Sequence, residues 1–165
     1  MGTFSKILAP GLRLGWIQAD EAALETLLQF GVLKSGGGFN PFTTRLITAA
    51  LQQGQCDRYL AHIKSLFAHR VQLMDRQLQQ SLGDILEYEK PSGGYFFWLK
   101  LPKKTDATEL AEKAREIGTG FRAGPLFSTK KKFKNFIRLS FAHYSENSIS
   151  VGLDRLSTLL KKELK

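Results

Sequence analysis

The segment Met1-Gly-Thr-Phe-Ser-Lys-Ile-Leu-Ala-Pro-Gly-Leu-Arg-Leu-Gly-Trp16 contains one lysine among hydroxyl side chains and ends in an apolar run. Lys6 follows Thr3 and Ser5, and Arg13 comes seven positions after Lys6. The proline-glycine pair before Arg13 predicts a type II turn, because glycine tolerates the positive φ of the second corner. We expect this turn to fold Arg13 back towards Lys6. The segment therefore predicts an amine beside donors that suit a phosphate group.

This segment resembles the cofactor-lysine segment of fold-type I, class I/II aminotransferases, in the branch of 2-aminoadipate-type and multi-substrate transaminases. Such an enzyme holds pyridoxal 5'-phosphate on a lysine and needs donors for the phosphate. The resemblance implies that Lys6 is the catalytic residue and forms the aldimine with the cofactor. It also implies that Thr3 and Arg13 bind the phosphate, with a further contact from Ser5.

Three later segments match the same family in the same order. They are Pro91-Ser-Gly-Gly-Tyr-Phe-Phe-Trp-Leu-Lys-Leu-Pro102, Phe121-Arg-Ala-Gly-Pro-Leu-Phe127 and Ile137-Arg-Leu-Ser-Phe-Ala142. The last segment carries the family's substrate-carboxylate arginine, which falls on Arg138. The family usually has Pro-Gly where this chain has Ala123-Gly124. We interpret this difference as a local change in the loop, without loss of chemistry.

The pattern of its own strand allows two roles for Arg138, a structural ion pair or a contact with a ligand. Ile137 and Leu139 point to one face of a strand, and Arg138 points to the other. A half-buried arginine normally has a carboxylate partner, because an unpaired charge is costly to desolvate. That partner is either an acid of the same unit, in a structural ion pair, or a ligand. The resemblance favours the ligand, a substrate α-carboxylate bound by two hydrogen bonds.

The helices are predicted from capping residues and from apolar periodicity. Asp20, Asn40, Asp106 and Ser145 each precede an amphipathic run, as helix caps do. From Arg58 to Leu82, apolar residues recur at spacings of three and four, which predicts one long helix. The helix after Asn40 is expected to bury one face, which consists of Leu46, Ile47, Ala50 and Leu51.

The strands are expected at three places. They lie over Leu12–Ile17, over Tyr95–Leu101, and around Ile137–Phe141. Ser35–Asn40 is too rich in glycine for regular structure, and its neutral interpretation is a flexible connection. By analogy with the family, it lies near the cofactor site of a partner subunit.

The resemblance implies an α/β fold with a small α+β domain. Residues 1–57 would be the end of the cofactor-binding large domain, and residues 58–83 a long inter-domain helix. Residues 84–165 would be the C-terminal small domain, with a short, mostly antiparallel sheet and flanking helices. The family's glycine-rich phosphate turn, its aromatic residue on the pyridine ring and its aspartate on the pyridine nitrogen are not found in these residues.

A truncated aminotransferase is therefore expected, one that transfers an amino group from an amino acid to a 2-oxo acid. We expect weak or no activity of this chain alone, and a homodimer in the full-length form. Two alternatives stay open. The chain is a non-catalytic fragment, or it is the aminotransferase-like effector part of a transcription regulator whose DNA-binding segment lies upstream.

Composition restricts the remaining classes of function. The sequence has no run near the roughly 18 apolar residues that a membrane span needs, and no secretory signal precedes Gly2. Its single cysteine, Cys56, has no partner for an internal disulfide, which favours a cytoplasmic protein. No metal-ligand spacing is found among the histidines, so we expect no metal site.

The net charge of +9 raises the question of nucleic-acid binding. One lysine cluster lies at residues 130–134, where Phe133 and Phe136 are candidate stacking residues. A second cluster lies at the end of the last predicted helix, where cations favour the helix dipole. We interpret both clusters as solvated charge, and nucleic acid as an unlikely partner.

Overall fold

The structure is a computed structural model that describes residues 1–36 and 39–164. The chain forms two compact units, Met1–Lys64 and Ser65–Lys165, which we call the N-terminal unit and the C-terminal unit. Helices alternate with two small antiparallel sheets, so the predicted α/β class with a small α+β part is confirmed.

The N-terminal unit begins with a short antiparallel pair of strands, β1 (Gly2–Thr3) and β2 (Gly15–Trp16). A 3-10 helix, Pro10–Leu12, lies between them. Gly2 faces Trp16, and a Cβ at Gly2 would lie 2.5 Å from Cε2 of the indole. A side chain at this position would require the indole of Trp16 to move. The strand predicted over Leu12–Ile17 is thus real but is limited to Gly15–Trp16, since Leu12 belongs to the 3-10 helix and Arg13 has a left-handed backbone.

Three helices follow in this unit: α1 (Glu21–Leu28), α2 (Gly31–Gly36) and α3 (Pro41–Gln52). The caps are as predicted. The Asp20 carboxylate accepts from the Ala23 amide at 2.8 Å, and the Asn40 side chain accepts from the Thr43 amide at 3.3 Å. Irregular structure was predicted from Ser35 onward, but α2 extends to Gly36. Gly37 and Gly38 lie outside the described residues.

Burial within the N-terminal unit is sparse. Among its described residues Ile47 is the single buried side chain, whereas Leu46 is 51% and Leu51 is 48% exposed. The predicted buried face of α3 is therefore wrong for these two leucines. A helix buries its apolar face only against a second layer, and the described residues of this unit supply little of one.

Helix α4 (Gln55–Leu82) contains 28 residues and is about 42 Å long. The long helix predicted over Arg58–Leu82 is confirmed. Its buried residues are Val71, Met74, Leu78 and Leu82, at spacings of three and four. Only the part of the helix that belongs to the C-terminal unit therefore contributes to a core.

The C-terminal unit contains a three-stranded antiparallel sheet of β3 (Phe96–Lys100), β4 (Arg122–Ala123) and β5 (Phe136–Ser140), in the order β3-β5-β4. Helices α5 (Ala107–Glu116) and α6 (Glu146–Glu163) belong to the same unit. The inner face of the sheet shares one hydrophobic core with α4, α5 and α6, built around Phe97, Leu99, Ile137, Leu139, Leu156 and Leu160.

Local polar contacts fix the ends of these elements. The Asp106 carboxylate accepts from the Thr108 amide at 2.8 Å, and the Ser145 hydroxyl accepts from the Ser148 amide at 3.2 Å, so both predicted caps are confirmed. The hydrogen bond from Thr108 lowers the pKa of Asp106. In the part of the chain that the structure describes, no helix is long and apolar enough to cross a membrane.

Candidate active site

The predicted phosphate-binding hydroxyls lie together at the start of the chain. The Thr3 hydroxyl donates to the Ser5 hydroxyl at 3.0 Å, and it accepts from the Ser5 amide at 3.1 Å. The Thr3 hydroxyl also lies 3.3 Å from the carbonyl of Leu14, the residue after Arg13. The pairing of β1 with β2 thus brings both hydroxyls to the strand that follows Arg13.

Lys6 lies in the turn between the two strands. The Phe4 carbonyl accepts from the Leu8 amide at 2.9 Å and from the Ala9 amide at 3.2 Å, which closes the backbone around Lys6. The Phe4 amide in turn donates to the Leu14 carbonyl at 3.1 Å. Lys6 is exposed, and it is adjacent in the chain to Ser5. The amine and the hydroxyl pair therefore belong to one closed loop.

Arg13 ends this loop in a left-handed backbone conformation, with φ 49° and ψ 41°. The predicted type II turn is wrong in its details, because a 3-10 helix forms at Pro10 and the positive φ falls on Arg13, not on Gly11. The amide and the guanidinium of Arg13 both donate to the Pro10 carbonyl at 3.4 Å. A non-glycine residue in this region of φ is uncommon and is often associated with function.

The chemistry of this donor set fits a phosphorylated aldehyde. Two hydroxyls and a guanidinium are groups from which a phosphate accepts hydrogen bonds. A primary amine on the same loop is the group that reacts with an aldehyde. Thr3, Lys6 and Arg13 are all exposed in the part of the chain that the structure describes, so water reaches them there.

Arg138 lies in the middle of β5, on the outer face of the sheet of the C-terminal unit. The burial pattern of β5 alternates as predicted, with Ile137 and Leu139 buried and Arg138 half-buried. The guanidinium carbon of Arg138 lies 3.8 Å from the centroid of the Phe96 ring and 4.1 Å from that of Phe127. Two aromatic rings therefore orient the guanidinium and shield it from water.

The alternative interpretation of Arg138, a structural ion pair, has no support in the described residues. The ion pairs found there are Lys90–Asp75, Lys100–Glu87 and Lys113–Glu163, and none includes Arg138. A half-buried cation without a protein carboxylate is suited to an acidic ligand.

The aromatic surroundings of Arg138 were missed by the sequence reasoning. Trp98 is its direct partner across the sheet, and Phe96 lies two residues before Trp98 on the same face. Alternation along β3 is the signal that identifies these two residues. No comparable signal identifies Phe127, because it reaches Arg138 from the 3-10 helix Gly124–Phe127.

The Ala123-Gly124 position has a structural explanation. Ala123 is buried in β4, and a Cβ added at Gly124 would overlap the Phe133 carbonyl. The glycine of the motif is thus required by packing. Gly124 begins the 3-10 helix that ends at Phe127, whose ring contacts the Arg138 guanidinium.

The candidate stacking residues beside the lysine cluster at residues 130–134 belong to an aromatic group around Trp98. Phe136 stacks on that ring at 5.4 Å, and Phe133 meets it edge-on at 5.8 Å. Among the described residues, no cluster of three potential metal ligands is found.

The sequence model of the family described as aminotransferase class I and II matches residues 1–156. The chain belongs to this family. Members of the family use pyridoxal phosphate, so the predicted cofactor is confirmed for the family. The predicted branch is also supported by relatives that include 2-aminoadipate, aromatic and multi-substrate transaminases.

Three relatives illustrate the range of the similarity. The aromatic-amino-acid aminotransferase 1 of Thermococcus litoralis is 32% identical over 100% of this chain and 39% of the relative. The crystal structure of LysN, the α-aminoadipate aminotransferase of Thermus thermophilus, complexed with N-(5'-phosphopyridoxyl)-L-leucine, has a TM-score of 0.85 and 30% identity, over 99% of this chain and 41% of that one. The transcriptional regulator NorG of Staphylococcus aureus is 30% identical over 98% of this chain and 36% of the relative.

The chain spans about 40% of the length of the aminotransferases that it matches. What those proteins do as wholes is therefore a proposal for this chain.

Proposed function

We propose that this chain is the part of a pyridoxal-phosphate-dependent aminotransferase that contains the catalytic lysine and the substrate-carboxylate arginine. Its reaction is the transfer of an amino group from an amino acid to a 2-oxo acid. The observation that carries the proposal is the Thr3–Ser5 hydroxyl pair, 3.0 Å apart, immediately before Lys6 in a loop that ends at Arg13. Family membership supports the same roles for these residues.

Each residue of this loop has a distinct task in the proposal. The hydroxyls of Thr3 and Ser5 and the guanidinium of Arg13 donate to the cofactor phosphate and fix its position. Lys6 would hold the cofactor through Nζ and, once the incoming substrate amine has displaced it, would move a proton to and from the substrate Cα. Bound pyridoxal phosphate supplies an electron sink for this proton transfer.

Arg138 binds the α-carboxylate of the substrate in this proposal. Its planar guanidinium offers a fork of donors that matches a carboxylate. The rings of Phe96 and Phe127, at 3.8 and 4.1 Å, cover the guanidinium and leave its edge for the ligand. A preoriented arginine loses less side-chain entropy when it binds.

The domain assignment follows from the same proposal. Residues 1–57 are the end of the cofactor-binding domain, residues 58–83 the inter-domain helix, and residues 84–165 the small domain. The complete protein is a cytoplasmic homodimer. The exposed apolar residues of the N-terminal unit support a packing partner, since Phe39 is 70% and Phe42 is 78% exposed.

The isolated chain should turn over weakly or not at all. Its cofactor-binding side chains are exposed, so water competes for every hydrogen bond that they donate. Catalytic sites gain much of their effect from excluding water. The residues that would cover this loop are not found in the described part of the chain.

The decisive experiment is a titration of the purified chain with pyridoxal phosphate, followed by borohydride reduction and peptide mapping. Saturable visible absorbance and a reduced adduct at Lys6 are expected. Lys6→Ala should abolish both signals. Lys34→Ala serves as the matched control, because Lys34 is another exposed lysine of the N-terminal unit.

An adduct spread over several lysines at equal yield would overturn the role of Lys6. So would an unchanged adduct yield in Lys6→Ala. Arg13→Gln should raise the cofactor concentration needed for half-saturation by about tenfold, since one charge-assisted hydrogen bond to phosphate is lost.

A second function is favoured by the similarity to NorG, a transcriptional regulator that matches nearly the whole chain. In that case the same cofactor-binding residues serve an effector part, and the complete protein binds DNA. Determining the coding sequence upstream of Met1 separates the two functions. A DNA-binding helical segment there would favour the regulator, and turnover by the complete protein would favour the enzyme.

A further inference from the structure

The part of the chain between α5 and α6 carries only positive charge. Residues 117–145 contain two arginines and four lysines, and no aspartate or glutamate. The four lysines are all exposed, and they are Lys130, Lys131, Lys132 and Lys134. None of the ion pairs found among the described residues includes any of them. Their charges are therefore available to an anionic partner outside the chain.

Two apolar side chains are exposed beside these lysines. Phe133 lies between Lys132 and Lys134 and is 45% exposed, and Leu126 is 67% exposed. Exposed apolar residues with a polar rim are typical of interaction sites. We call Leu126, Phe133 and the four lysines the basic apolar patch.

The fold brings the two parts of the patch together. A Cβ added at Gly124 would lie 2.9 Å from the Cβ of Phe133, so the 3-10 helix that contains Leu126 packs against the lysine loop. The rings of Phe127 and Phe133 both meet the ring of Trp98 edge-on, at 5.6 and 5.8 Å. The patch is therefore one surface, although its residues come from two segments of the chain.

Hydrogen bonds fix the shape of the lysine loop. The carbonyl of Ser128 accepts from the Lys131 amide at 3.0 Å, and the hydroxyl of Ser128 accepts from the Lys132 amide at 3.2 Å. Lys131 and Phe133 have φ values of 49° and 62°, in the left-handed region. A loop that is already held in one conformation loses less entropy when a partner binds.

The composition of the patch favours an anionic lipid surface over other polyanions. Anionic headgroups attract lysines, and apolar side chains beside such lysines insert at the boundary of the acyl chains. Single-stranded nucleic acid binds through aromatic rings that stack on its bases. The most exposed apolar side chain of the patch is instead aliphatic Leu126, and the ring of Phe133 packs on Trp98 and Phe136. A peptide typically binds in a groove or at a sheet edge, whereas the patch lies on a 3-10 helix and a loop.

We propose that the basic apolar patch binds an anionic lipid surface, with its lysines at the headgroups and with Leu126 and Phe133 at the boundary of the acyl chains. The contact is peripheral, and it goes beyond the proposed function because it requires neither cofactor nor substrate. It assigns a role to a lysine cluster that the sequence alone predicts to be solvated charge.

Sedimentation of the 165-residue chain with lipid vesicles tests this proposal. The chain should bind vesicles of equimolar phosphatidylcholine and phosphatidylserine more tightly than vesicles of phosphatidylcholine alone, and added salt should weaken this binding. Lys130→Gln combined with Lys132→Gln should weaken it by about 25-fold, since each lysine near the surface contributes about fivefold in affinity. Leu126→Gln should weaken it by about fivefold, because an inserted apolar side chain is lost.

Two variants serve as matched controls. Lys161→Gln combined with Lys162→Gln removes the same charge from the second lysine cluster, where both side chains are exposed. Leu28→Gln removes an exposed leucine from the N-terminal unit. Neither control should change the affinity for anionic vesicles.

Three results would overturn the proposal. The first is equal binding to the two kinds of vesicle, and the second is an equal loss of affinity in the charge control. The third is an absence of binding to anionic vesicles. If the chain then binds a single-stranded oligonucleotide, and the substitution of Lys130 and Lys132 removes that binding, the patch belongs to nucleic acid.

Discussion

The guanidinium carbon of Arg138 lies 4.1 Å from the ring centroid of Phe127, although the two residues belong to different elements of the C-terminal unit. Phe96 contacts the same guanidinium from β3 at 3.8 Å. These rings connect the family's Phe121–Phe127 segment and its strand β3 to the arginine of β5. The matched segments are therefore joined by contact within one unit.

The first prediction concerns the ring of Phe127. Phe127→Leu should weaken carboxylate binding at Arg138 by about two- to fivefold, because a cation–π contact at an exposed site contributes about 0.5–1 kcal/mol. Titration with butyrate followed by NMR measures this change. Phe133→Leu is the control. Phe133 is 45% exposed and Phe127 is 42% exposed, but Phe133 contacts Trp98. An equal loss in the control would contradict the prediction.

The second prediction concerns the cap of α5. Asp106→Ala should lower the free energy of unfolding by about 1 kcal/mol at neutral pH, because the Thr108 amide loses its acceptor. The pKa of Asp106 is lowered in the folded state, so its contribution is present above the unfolded pKa and is lost as the pH falls through the folded value. Urea unfolding between neutral pH and about pH 3 should show the difference disappearing.

Asp84→Ala is the control for this cap, since Asp84 is exposed and caps no helix. A loss of unfolding free energy in Asp106→Ala that does not depend on pH would show that the charge of the carboxylate is not needed for the cap. Asp106→Asn would then test whether an uncharged side-chain oxygen at this position is sufficient.

The third prediction concerns Tyr88, whose hydroxyl donates to the Asp75 carboxylate at 2.9 Å. Burial, together with this hydrogen bond, raises the pKa of Tyr88 to about 12. Because the folded pKa is raised, the stabilisation is present below the unfolded pKa of about 10 and is lost as the pH rises through about 12. Tyr88→Phe should cost about 1–2 kcal/mol at neutral pH.

Urea unfolding at pH 8 and pH 11 measures the free energy of unfolding that Tyr88→Phe removes. Absorbance at alkaline pH measures the ionisation of the Tyr88 hydroxyl in the unsubstituted chain. Tyr144→Phe should leave both the free energy of unfolding and the late ionisation of Tyr88 unchanged, since Tyr144 is 59% exposed. Titration of all tyrosines near pH 10 would be inconsistent with the buried hydroxyl.

The fourth prediction concerns the difference in stability between the two units. Backbone amides of α1–α3 should exchange with solvent much faster than those of β5 and α6, because Ile47 is the one buried side chain among the described residues of the N-terminal unit. Hydrogen exchange read by mass spectrometry measures this. Leu156→Ala should lower the stability of the C-terminal unit by about 2–5 kcal/mol and leave exchange in α1–α3 unchanged.

Slow exchange throughout residues 1–64 would contradict this difference in stability. It would indicate that the unit acquires a packing partner in solution, for which self-association is measured by sedimentation.

Local signals in the sequence predicted much of this fold. The caps at Asp20, Asp106 and Ser145 depend on amides two or three residues away, so a short segment contains the whole interaction. The strand around Ile137 and the long helix α4 were predicted from periodicity, which is also local.

The errors arose where distant residues decide the conformation. The sequence around Pro10 is compatible with a type II turn or with a 3-10 helix. The structure has the 3-10 helix, in a loop that the pairing of Gly2 with Trp16 and of Thr3 with Gly15 closes. The exposure of Leu46 depends on whether a second layer is present, which no pattern within α3 reveals. The roles of Thr3, Ser5, Lys6, Arg13 and Arg138 remain predictions for the same reason, since they depend on a bound ligand.

The position of the two tryptophans provides an internal spectroscopic probe. Trp16 lies against Gly2 in the N-terminal unit, and Trp98 stacks on Phe136 in the C-terminal unit. The chain has two tryptophans in all. Fluorescence of Trp98→Phe would therefore report on the loop around Lys6 alone, and that of Trp16→Phe on the surroundings of Arg138 alone. Each half of the proposed chemistry thus has its own built-in fluorophore.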